Sequence, residues 1–344
     1  MKALLPALLL LLSATSHARF YTRENLPRKP LNFERAYAAA LRLDEMNSGG
    51  DHCSAVSVSR DGHVLTNLHC LKNCLADAGK ALQEITGQHY TIQKPRQQNP
   101  KGVVCDNIAW DDSDGNAHVG GRVVWLGRGS QTFSDADVDA IAEDAFRDVV
   151  AHQDDFAILK FDMPAQTACV PFSAAPPRAG GTVWTLGYPN FSSRGDGYDS
   201  TGYKKHISFG TVTADIRTDA YLSGLITTEA QWRRLESAYG QPHILLSKVD
   251  SMHGSSGSML INEEGELVSI HYSATSPSAD RMKTDLGANA LSIRVDHVRA
   301  ELKAGLGEAA MRSIFDCPIA ASPPASVPRP AISLEILSDP WSSR

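Results

Sequence analysis

The sequence has little that could hold the protein in a membrane. Only residues 3–12 form a long apolar run, and this run follows Lys2 and is too short to span a bilayer. Residues 16–18 then place small side chains at the two positions that a signal peptidase reads. We therefore expect residues 1–18 to be a signal peptide that is cleaved before Arg19, and the mature chain to be secreted or periplasmic without a membrane partner.

The sequence also lacks a basic surplus. Its 39 acidic residues outnumber its 33 lysines and arginines, which gives a net charge of −6. Proteins that bind nucleic acid neutralise phosphates with a basic surface, so DNA and RNA are not expected partners. No cysteine stands at the predicted cleavage site, so the sequence indicates no lipid anchor there.

Cysteine is scarce, with six residues in the chain. In an exported protein these are more often paired than bound to metal. A metal site around His69, Cys70 and Cys74 is the alternative, and export disfavours it. About 325 mature residues can bury a full core, so disulfides would reinforce the core rather than replace it.

Residues 19–50 begin basic and proline-broken and then become periodic. The sequence Asn47-Ser48-Gly49-Gly50 is typical of a helix end. We expect a helical leader over residues 19–50, which either packs against the main body or is a removable pro-segment. The apolar residues at helix-like spacing are Phe33, Tyr37, Ala40, Leu41 and Leu43.

Three later stretches carry groups suited to chemistry. A hairpin that starts at Cys53 runs into His69, where a rigidly held imidazole could act as a general base. Asp155 precedes an apolar strand, where an acid can orient an imidazole. The turn at residues 254–258 presents Ser256 between glycines beside free backbone N–H groups. Taken singly, each stretch also fits a purely structural role: the histidine could be a core residue, the acid could cap a strand, and the serine turn could be a surface loop.

Together these stretches resemble trypsin-like (chymotrypsin-fold) serine peptidases of the bacterial exported type. Residues 66–70, Thr-Asn-Leu-His-Cys, are similar to the family's Thr-Asn-x-His-Cys motif, and residues 155–159 to its Asp-(Ile/Phe)-Ala-Leu-Leu motif. The order His, Asp, Ser along the chain is also that of the family. The resemblance covers about residues 50–305, with a local similarity to glutamyl endopeptidases at residues 269–272.

The resemblance implies a serine endopeptidase that acts on protein or peptide substrates with no metal or cofactor. It makes His69 the base, Asp155 the acid that orients the base, with Asp154 as the alternative, and Ser256 the nucleophile. The backbone N–H groups of Gly254 and Ser256 would form the oxyanion hole. A non-catalytic binding or adhesion module on the same fold is the alternative, but such a module would be expected to have lost part of the triad.

The family also implies a disulfide between Cys53 and Cys70. The remaining four cysteines allow three pairings. Of these we favour Cys74–Cys105 and Cys169–Cys317.

Two departures from the family pattern concern activation. Ser255 stands where zymogen-activated members carry an aspartate, and no Ile-Val-Gly-Gly-like start precedes Cys53. We therefore expect that activation switch to be absent. Met259 replaces the usual proline, a change that the following apolar strand should tolerate.

Two candidate substrate-binding residues favour opposite substrates. Asp250 lies six residues before Ser256, the offset at which trypsin places the acid that receives Arg or Lys. His271 lies in Ser-Ile-His-Tyr, which resembles the Gly-Ile-His-Trp segment that contributes to binding acidic side chains. The sequence leaves this specificity open, together with the physiological substrate and the oligomeric state.

The expected architecture is all-β: a two-lobed antiparallel β-barrel with a helical leader and a C-terminal helix. The His69–Asp155 separation is longer than in compact members of the family, which predicts an insertion at residues 74–150. Residues 105–121 within it read as a loop, and an acidic run inside that loop is not expected to bind calcium. The predicted divisions are the leader 19–50, the first lobe 51–170, the linker 171–181, the second lobe with its helix 182–306, and an extended tail 307–344.

Overall fold

The computed structural model describes residues 20–44, 52–71, 82–86, 89–92, 104–105, 107–109, 116–117, 120–127, 155–162, 168–189, 204–213, 217, 228–239, 244–252, 254–274 and 290–318. None of the helices in these ranges is long and apolar enough to cross a membrane. Their helices are α1 (Phe33–Ala39), α2 (Glu229–Tyr239), α3 (Val295–Leu306) and α4 (Glu308–Ile314), with a 3₁₀ turn at His69–Leu71.

The strands in these ranges fall into two groups along the chain. The first group is β1 (Ala40–Asp44), β2 (His52–Ser57), β3 (His63–Thr66), β4 (Leu82–Thr86), β5 (His89–Ile92), β6 (Val104–Cys105), β7 (Asn107–Ala109), β8 (Asn116–Ala117), β9 (Gly121–Leu126) and β10 (Ala157–Lys160). The second group is β11 (Thr182–Gly187), β12 (His206–Thr213), β13 (Ile244–Ser247), β14 (Met259–Ile261), β15 (Leu267–Ala274) and β16 (Ala290–Arg294).

Eight strands of the first group form an antiparallel sheet in the order β6-β9-β10-β3-β2-β1-β7-β8, and the other two, β4 and β5, pair with each other as a separate two-stranded sheet. Strand β3 pairs with β2 on one side and β10 on the other, with Val56 opposite Leu65 and Ala157 opposite Thr66. This register brings the end of β3 beside the start of β10. Residues from distant parts of the sequence therefore meet at one edge of the lobe.

The second group closes into a six-stranded antiparallel barrel in the order β11-β12-β13-β16-β15-β14. Alternate residues of its strands point inward, and large side chains such as Trp184 and Ile270 are fully buried. The prediction of an all-β fold with an antiparallel barrel is thus confirmed. The predicted C-terminal helix is α3, whose Val298 and Leu302 join the same core.

The leader differs from the prediction, because the expected helix ends at Ala39. Residues 40–44 form β1, which pairs with β2 and β7 inside the first-lobe sheet. Leu41 and Leu43 pack in one core cluster and Ala40 in another, as alternate residues of a strand that is buried on both faces do. The helical prediction was wrong here because the short helix is followed directly by the strand, so the apolar residues of both form one series in the sequence.

The rest of the leader lies along the second lobe. The backbone of Tyr21 exchanges two hydrogen bonds with Ile207 on β12, and the Trp184 indole donates to the carbonyl of Arg28 at 3.1 Å. The buried Lys205 ammonium donates to the carbonyl of Tyr37 at 2.6 Å. The chain therefore contacts one lobe before it supplies a strand to the other.

Two further predictions need correction. Within residues 74–150, where an insertion is predicted, the end of β6 together with β7 and β8 replaces part of the loop expected at residues 105–121, and these strands pair within the first-lobe sheet. Residues 308–314 of the predicted extended tail form α4, because Met311 and Ile314 have apolar surface to bury against the core. The acidic run at residues 111–115 lies outside the described residues.

Two disulfides tie these parts together. Cys53 and Cys70 are bonded across the β2–β3 hairpin. Cys169 and Cys317, which are 148 residues apart in sequence, join the segment before the second lobe to the chain after α4. The Arg35 side chain of α1 donates to the Cys169 carbonyl at 2.8 Å, so the leader also reaches this junction. Cys74 lies outside the described residues, so the pairing Cys74–Cys105 stays a prediction.

These contacts predict that β1 stays in the working protein. A chain that starts at residue 45 loses a strand from the interior of the sheet and two fully buried leucines, which contribute about 1.5–3 kcal/mol each. Because whole domains are stable by only about 5–15 kcal/mol, we expect this chain to be insoluble or unfolded by circular dichroism. A chain that starts at Arg19 is the matched control and should fold. Recovery of a folded, functional protein lacking residues 19–44 would show that the leader is dispensable.

Candidate active site

The imidazole of His69 is held at the end of the β2–β3 hairpin. Strand β3 ends at Thr66, and the 3₁₀ turn then begins at His69 itself. The next residue, Cys70, is bonded to Cys53 at the start of β2. The backbone on both sides of the histidine is therefore fixed, and its side chain is about one quarter exposed, at 24%.

Asp155 binds His69 at two points. Its Oδ2 lies 2.5 Å from His69 Nδ1, and its Oδ1 accepts the backbone N–H of the same residue at 2.8 Å. The carboxylate is almost fully buried, at 4% exposure. A carboxylate in this position accepts a hydrogen bond from Nδ1–H and so favours the tautomer in which Nε2 carries the lone pair and can act as a base. Asp154, the alternative acid, lies outside the described residues.

A buried amide fixes the other side of Asp155. The Asn67 side chain donates to the Asp155 carbonyl oxygen at 2.8 Å, and Asn67 is fully buried. Asn67 precedes the histidine by two residues, so the histidine turn and the acid are joined by backbone as well as side-chain contacts. This arrangement resists rotation of either group.

The hairpin that leads to this site carries a second histidine, at the start of β3. The Nδ1 atom of His63 lies 2.9 Å from the hydroxyl of Ser59, whose oxygen also accepts the His63 backbone N–H. Burial, with a smaller effect of Lys160, lowers the pKa of His63 to about 4. This imidazole is therefore neutral near pH 7 and serves to close the hairpin turn.

The serine turn, residues 254–258, is built by two glycines in the left-handed region. Gly254 has φ 85° and Gly257 has φ 83°, values that residues with a Cβ rarely adopt. The N–H of Ser255 donates to Met252, and that of Ser258 donates to Ser255. Within the described part of the chain, the N–H groups of Gly254 and Ser256 donate to no backbone carbonyl. Two donors are thus left beside the partly exposed Ser256.

The serine turn is joined to both lobes. On its own lobe, Gly257 and Ser258 exchange backbone hydrogen bonds with His271 on β15. On the other lobe, Ser54 of β2 donates its N–H to the Ser256 carbonyl at 2.7 Å. Because Ser54 follows Cys53, which is bonded to Cys70 beside His69, a short covalent and hydrogen-bonded path links Ser256 to the histidine.

The two predicted specificity residues lie on different elements. Asp250 follows β13 and is partly exposed. The Ser208 hydroxyl donates to Asp250 Oδ2 at 3.2 Å, and the backbone N–H of Asp250 donates to the Ser208 hydroxyl oxygen at 2.9 Å. His271 lies on β15 and is 4% exposed. The acid is therefore anchored at the edge of the barrel, while the histidine is enclosed beneath the serine turn.

One trio of side chains superficially resembles a metal site. The sulfur atoms of Cys53 and Cys70 and a ring nitrogen of His69 lie within 4.8 Å of one another. Both sulfurs are committed to the disulfide, so they offer no thiolate ligands. Cys74, which completes the metal site His69, Cys70 and Cys74 named as an alternative in the sequence analysis, lies outside the described residues.

Ser54 is the residue of this site that sequence reasoning missed. It lies in an alternating strand, and its hydroxyl is fully buried rather than exposed. A small polar residue among buried apolar ones was the available signal, but only the fold shows what the hydroxyl contacts.

A family model described as a trypsin-like peptidase domain matches residues 53–270, more than half of the chain. Similar solved structures include the serine endoprotease from Yersinia pestis, at 15% identity and a TM-score of 0.41, with 82% of this chain and 69% of that chain covered. The Rv3671c protease of M. tuberculosis in its inactive form is 14% identical, with a TM-score of 0.41 and coverage of 80% and 97%. Deg5 is 13% identical, with a TM-score of 0.43 and coverage of 80% and 93%. No curated protein matches the sequence. At these identities and TM-scores the structural similarities carry no argument about activity, and any family assignment rests on the sequence match.

The geometry of the turn predicts that Gly257 tolerates no side chain. A Cβ there would lie 1.9 Å from the Ser54 carbonyl oxygen and 2.7 Å from Thr66 Oγ1, at a strained φ. Because a shift of about 1 Å at a reacting group can cost about 100-fold in rate, we expect Gly257→Ala to lower kcat/KM for peptide hydrolysis at least about 100-fold. Gly180→Ala is the control, since Gly180 has φ 79° but a Cβ there meets nothing within 4 Å. Near-normal hydrolysis by Gly257→Ala would contradict the close approach of the two lobes.

Proposed function

The chain belongs to the trypsin-like peptidase family and is a serine-type peptidase; from this premise we propose that it is an exported endopeptidase that uses His69, Asp155 and Ser256 as its triad. The observation that carries the proposal is the two-point hydrogen bonding between His69 and the buried Asp155 carboxylate. This contact orients the imidazole so that Nε2 can act as the base, and we assign the Ser256 hydroxyl as the group that it deprotonates.

The proposed reaction cleaves a peptide bond in two halves. Ser256 Oγ attacks the carbonyl carbon while His69 Nε2 takes the hydroxyl proton, and the tetrahedral intermediate then collapses as His69 returns that proton to the leaving amine. The resulting acyl-enzyme is attacked by water, whose proton passes to His69 and then back to Ser256 as the acid product leaves. In each half-reaction His69 takes one proton and gives it up again, so it ends as it began and no cofactor is required.

Asp155 acts through His69. The buried carboxylate holds the Nδ1–H tautomer and stabilises the imidazolium that forms during each half-reaction, without itself becoming protonated. Its burial matters, because a charge interaction is stronger where water is excluded. The N–H groups of Gly254 and Ser256 would receive the negative charge on the substrate oxygen, and each such donor is typically worth about 3 kcal/mol of barrier.

Export is the second part of the proposal. It rests on the signal-like pattern of residues 1–18 and on the disulfides Cys53–Cys70 and Cys169–Cys317, which persist in oxidising compartments. A peptidase in that setting meets protein and peptide substrates directly.

Labelling with a serine-directed fluorophosphonate tests the nucleophile. We expect the chain that starts at Arg19 to be labelled once and to hydrolyse peptides, and Ser256→Ala to lose both properties. Ser258→Ala is the matched control, because Ser258 lies in the same turn but is buried, and it should keep the label. Equal labelling of Ser256→Ala, or no labelling of the parent chain, would favour the non-catalytic binding module.

Asp155→Asn should fold and lose about 10³- to 10⁴-fold in kcat, since it disfavours the required tautomer.

For specificity, we propose that the pocket accepts Lys or Arg. Asp250 is partly exposed and its carboxylate is oriented by Ser208, whereas His271 is almost fully enclosed and less able to reach a substrate. An oriented carboxylate at a pocket favours a cationic side chain. The opposite preference, for acidic residues through His271, is the alternative.

A peptide-library digest distinguishes the two preferences. We expect cleavage after Lys and Arg, and a loss of about 30-fold or more in kcat/KM for those substrates in Asp250→Asn, because the cation then enters the pocket unpaired. His271→Ala is the comparison variant and should leave this preference unchanged. Cleavage after Lys or Arg that survives Asp250→Asn would remove Asp250 from the pocket, and cleavage after Glu or Asp that His271→Ala abolishes would establish the alternative.

A further inference from the structure

We propose that Ser54 is a positioning residue of the active site, whose hydroxyl fixes the peptide between the two oxyanion-hole donors. This inference rests on the proposed function, because it takes Gly254 and Ser256 as those donors. Ser54 belongs to the opposite lobe and lies 200 residues before Gly254 in the sequence.

The Ser54 hydroxyl makes two hydrogen bonds of defined direction. Its oxygen accepts the backbone N–H of Tyr188 at 2.8 Å, and its proton is donated to the Gly254 carbonyl at 2.8 Å. The directions are fixed, because a backbone N–H can only donate and a carbonyl can only accept. Ser54 is 0% exposed, so water does not compete for either partner.

The Gly254 carbonyl is a sensitive point of the turn. It belongs to the peptide that joins Gly254 to Ser255, and the N–H of that same peptide donates to the Met252 carbonyl at 2.9 Å. The peptide is therefore held at both ends, by Ser54 and by Met252. This plane lies between the two proposed donors, so its orientation determines whether both point to one substrate oxygen.

Because residue 254 is a glycine, the turn needs a contact from outside to hold its backbone in one conformation. Gly254 has φ 85° and no Cβ, so its backbone has other accessible conformations of similar energy. Rotation of the Gly254–Ser255 peptide would turn the carbonyl toward the site and move the donors apart. The hydroxyl of Ser54 opposes this rotation, because rotation would break a buried hydrogen bond on each side.

The backbone of Ser54 supports the other end of the same turn. Its N–H donates to the Ser256 carbonyl at 2.7 Å, and its own carbonyl accepts the Thr66 hydroxyl at 2.8 Å. Ser54 thus contacts carbonyl groups on both sides of Ser255. Space around the hydroxyl is limited, since a Cβ on Gly187 would lie 2.7 Å from it. A serine fits this position because it supplies both a donor and an acceptor in a small volume.

The test is Ser54→Ala, which removes both side-chain hydrogen bonds and keeps those of the backbone. Loss of a whole oxyanion donor costs about 10²- to 10³-fold, so disorder of the donors should lower kcat about 10- to 100-fold with KM changed less than about twofold. Affinity for a peptide boronic acid, which mimics the tetrahedral intermediate, should fall by the same factor as kcat. Affinity for the corresponding cleaved peptide should stay unchanged.

Ser57→Ala is the matched control. Ser57 lies on the same strand and is equally buried, but its hydroxyl donates to the nearby Ser59 carbonyl and, within the described ranges, bonds to no residue of the serine turn. It should have the kcat of the parent chain. Rates are normalised to the fraction of active sites titrated by fluorophosphonate, so that partial misfolding does not imitate the effect. If Ser54→Ala does not fold, Ser54→Gly removes the same hydroxyl and should show the same loss in kcat.

An unchanged kcat in Ser54→Ala or Ser54→Gly, or a loss confined to KM, would overturn the positioning role. So would a fall in rate that disappears after normalisation to titrated sites. Failure of the proposed function has a different signature, because the parent chain itself would then not be labelled at Ser256, and the inference would fall with it.

Discussion

The hydrogen bonds at Ser54 join the two lobes at the point where they must meet. The N–H of Ser54 binds the Ser256 carbonyl, and its carbonyl lies where any Cβ on Gly257 would be. The serine turn therefore approaches β2 so closely that Gly257 must lack a side chain. The adjacent Cys53–Cys70 disulfide carries this contact to the residue beside His69. The arrangement of the site therefore depends on this close contact between the backbone of β2 and the serine turn.

The chain outside the site supports that approach from both lobes. The N-terminal segment bonds to β12 through Tyr21 and then enters the first-lobe sheet as β1. The C-terminal helices bury Leu302 and Met311 in a core that also includes Val56 and Trp184, and the Cys169–Cys317 disulfide fixes their end. Relative movement of the lobes would disturb packed apolar surface as well as hydrogen bonds.

The sequence predicted the parts of the protein that depend on local pattern. Alternating residues after Cys53 indicated the β2–β3 hairpin, and the run after Asp155 indicated β10, both of which the structure contains. The second barrel and the all-β class were implied by the family resemblance that these motifs carry. The leader was predicted less well, since Leu41 and Leu43 fit the period of a helix and that of a strand over so short a stretch. Residues 308–314 form α4 rather than the predicted extended tail, because Met311 and Ile314 pack in the core.

The sequence by itself determined the family, through three motifs in a fixed order, because each motif is a local arrangement of backbone and side chain. It also determined which residues to consider as base, acid and nucleophile, an assignment that remains a proposal. Only the tertiary structure decided that residues 40–44 are a strand and that the Ser54 hydroxyl holds the Gly254 carbonyl. The reason is physical: strand pairing and buried hydrogen bonds join residues far apart in the chain, and no local pattern records which distant group completes them.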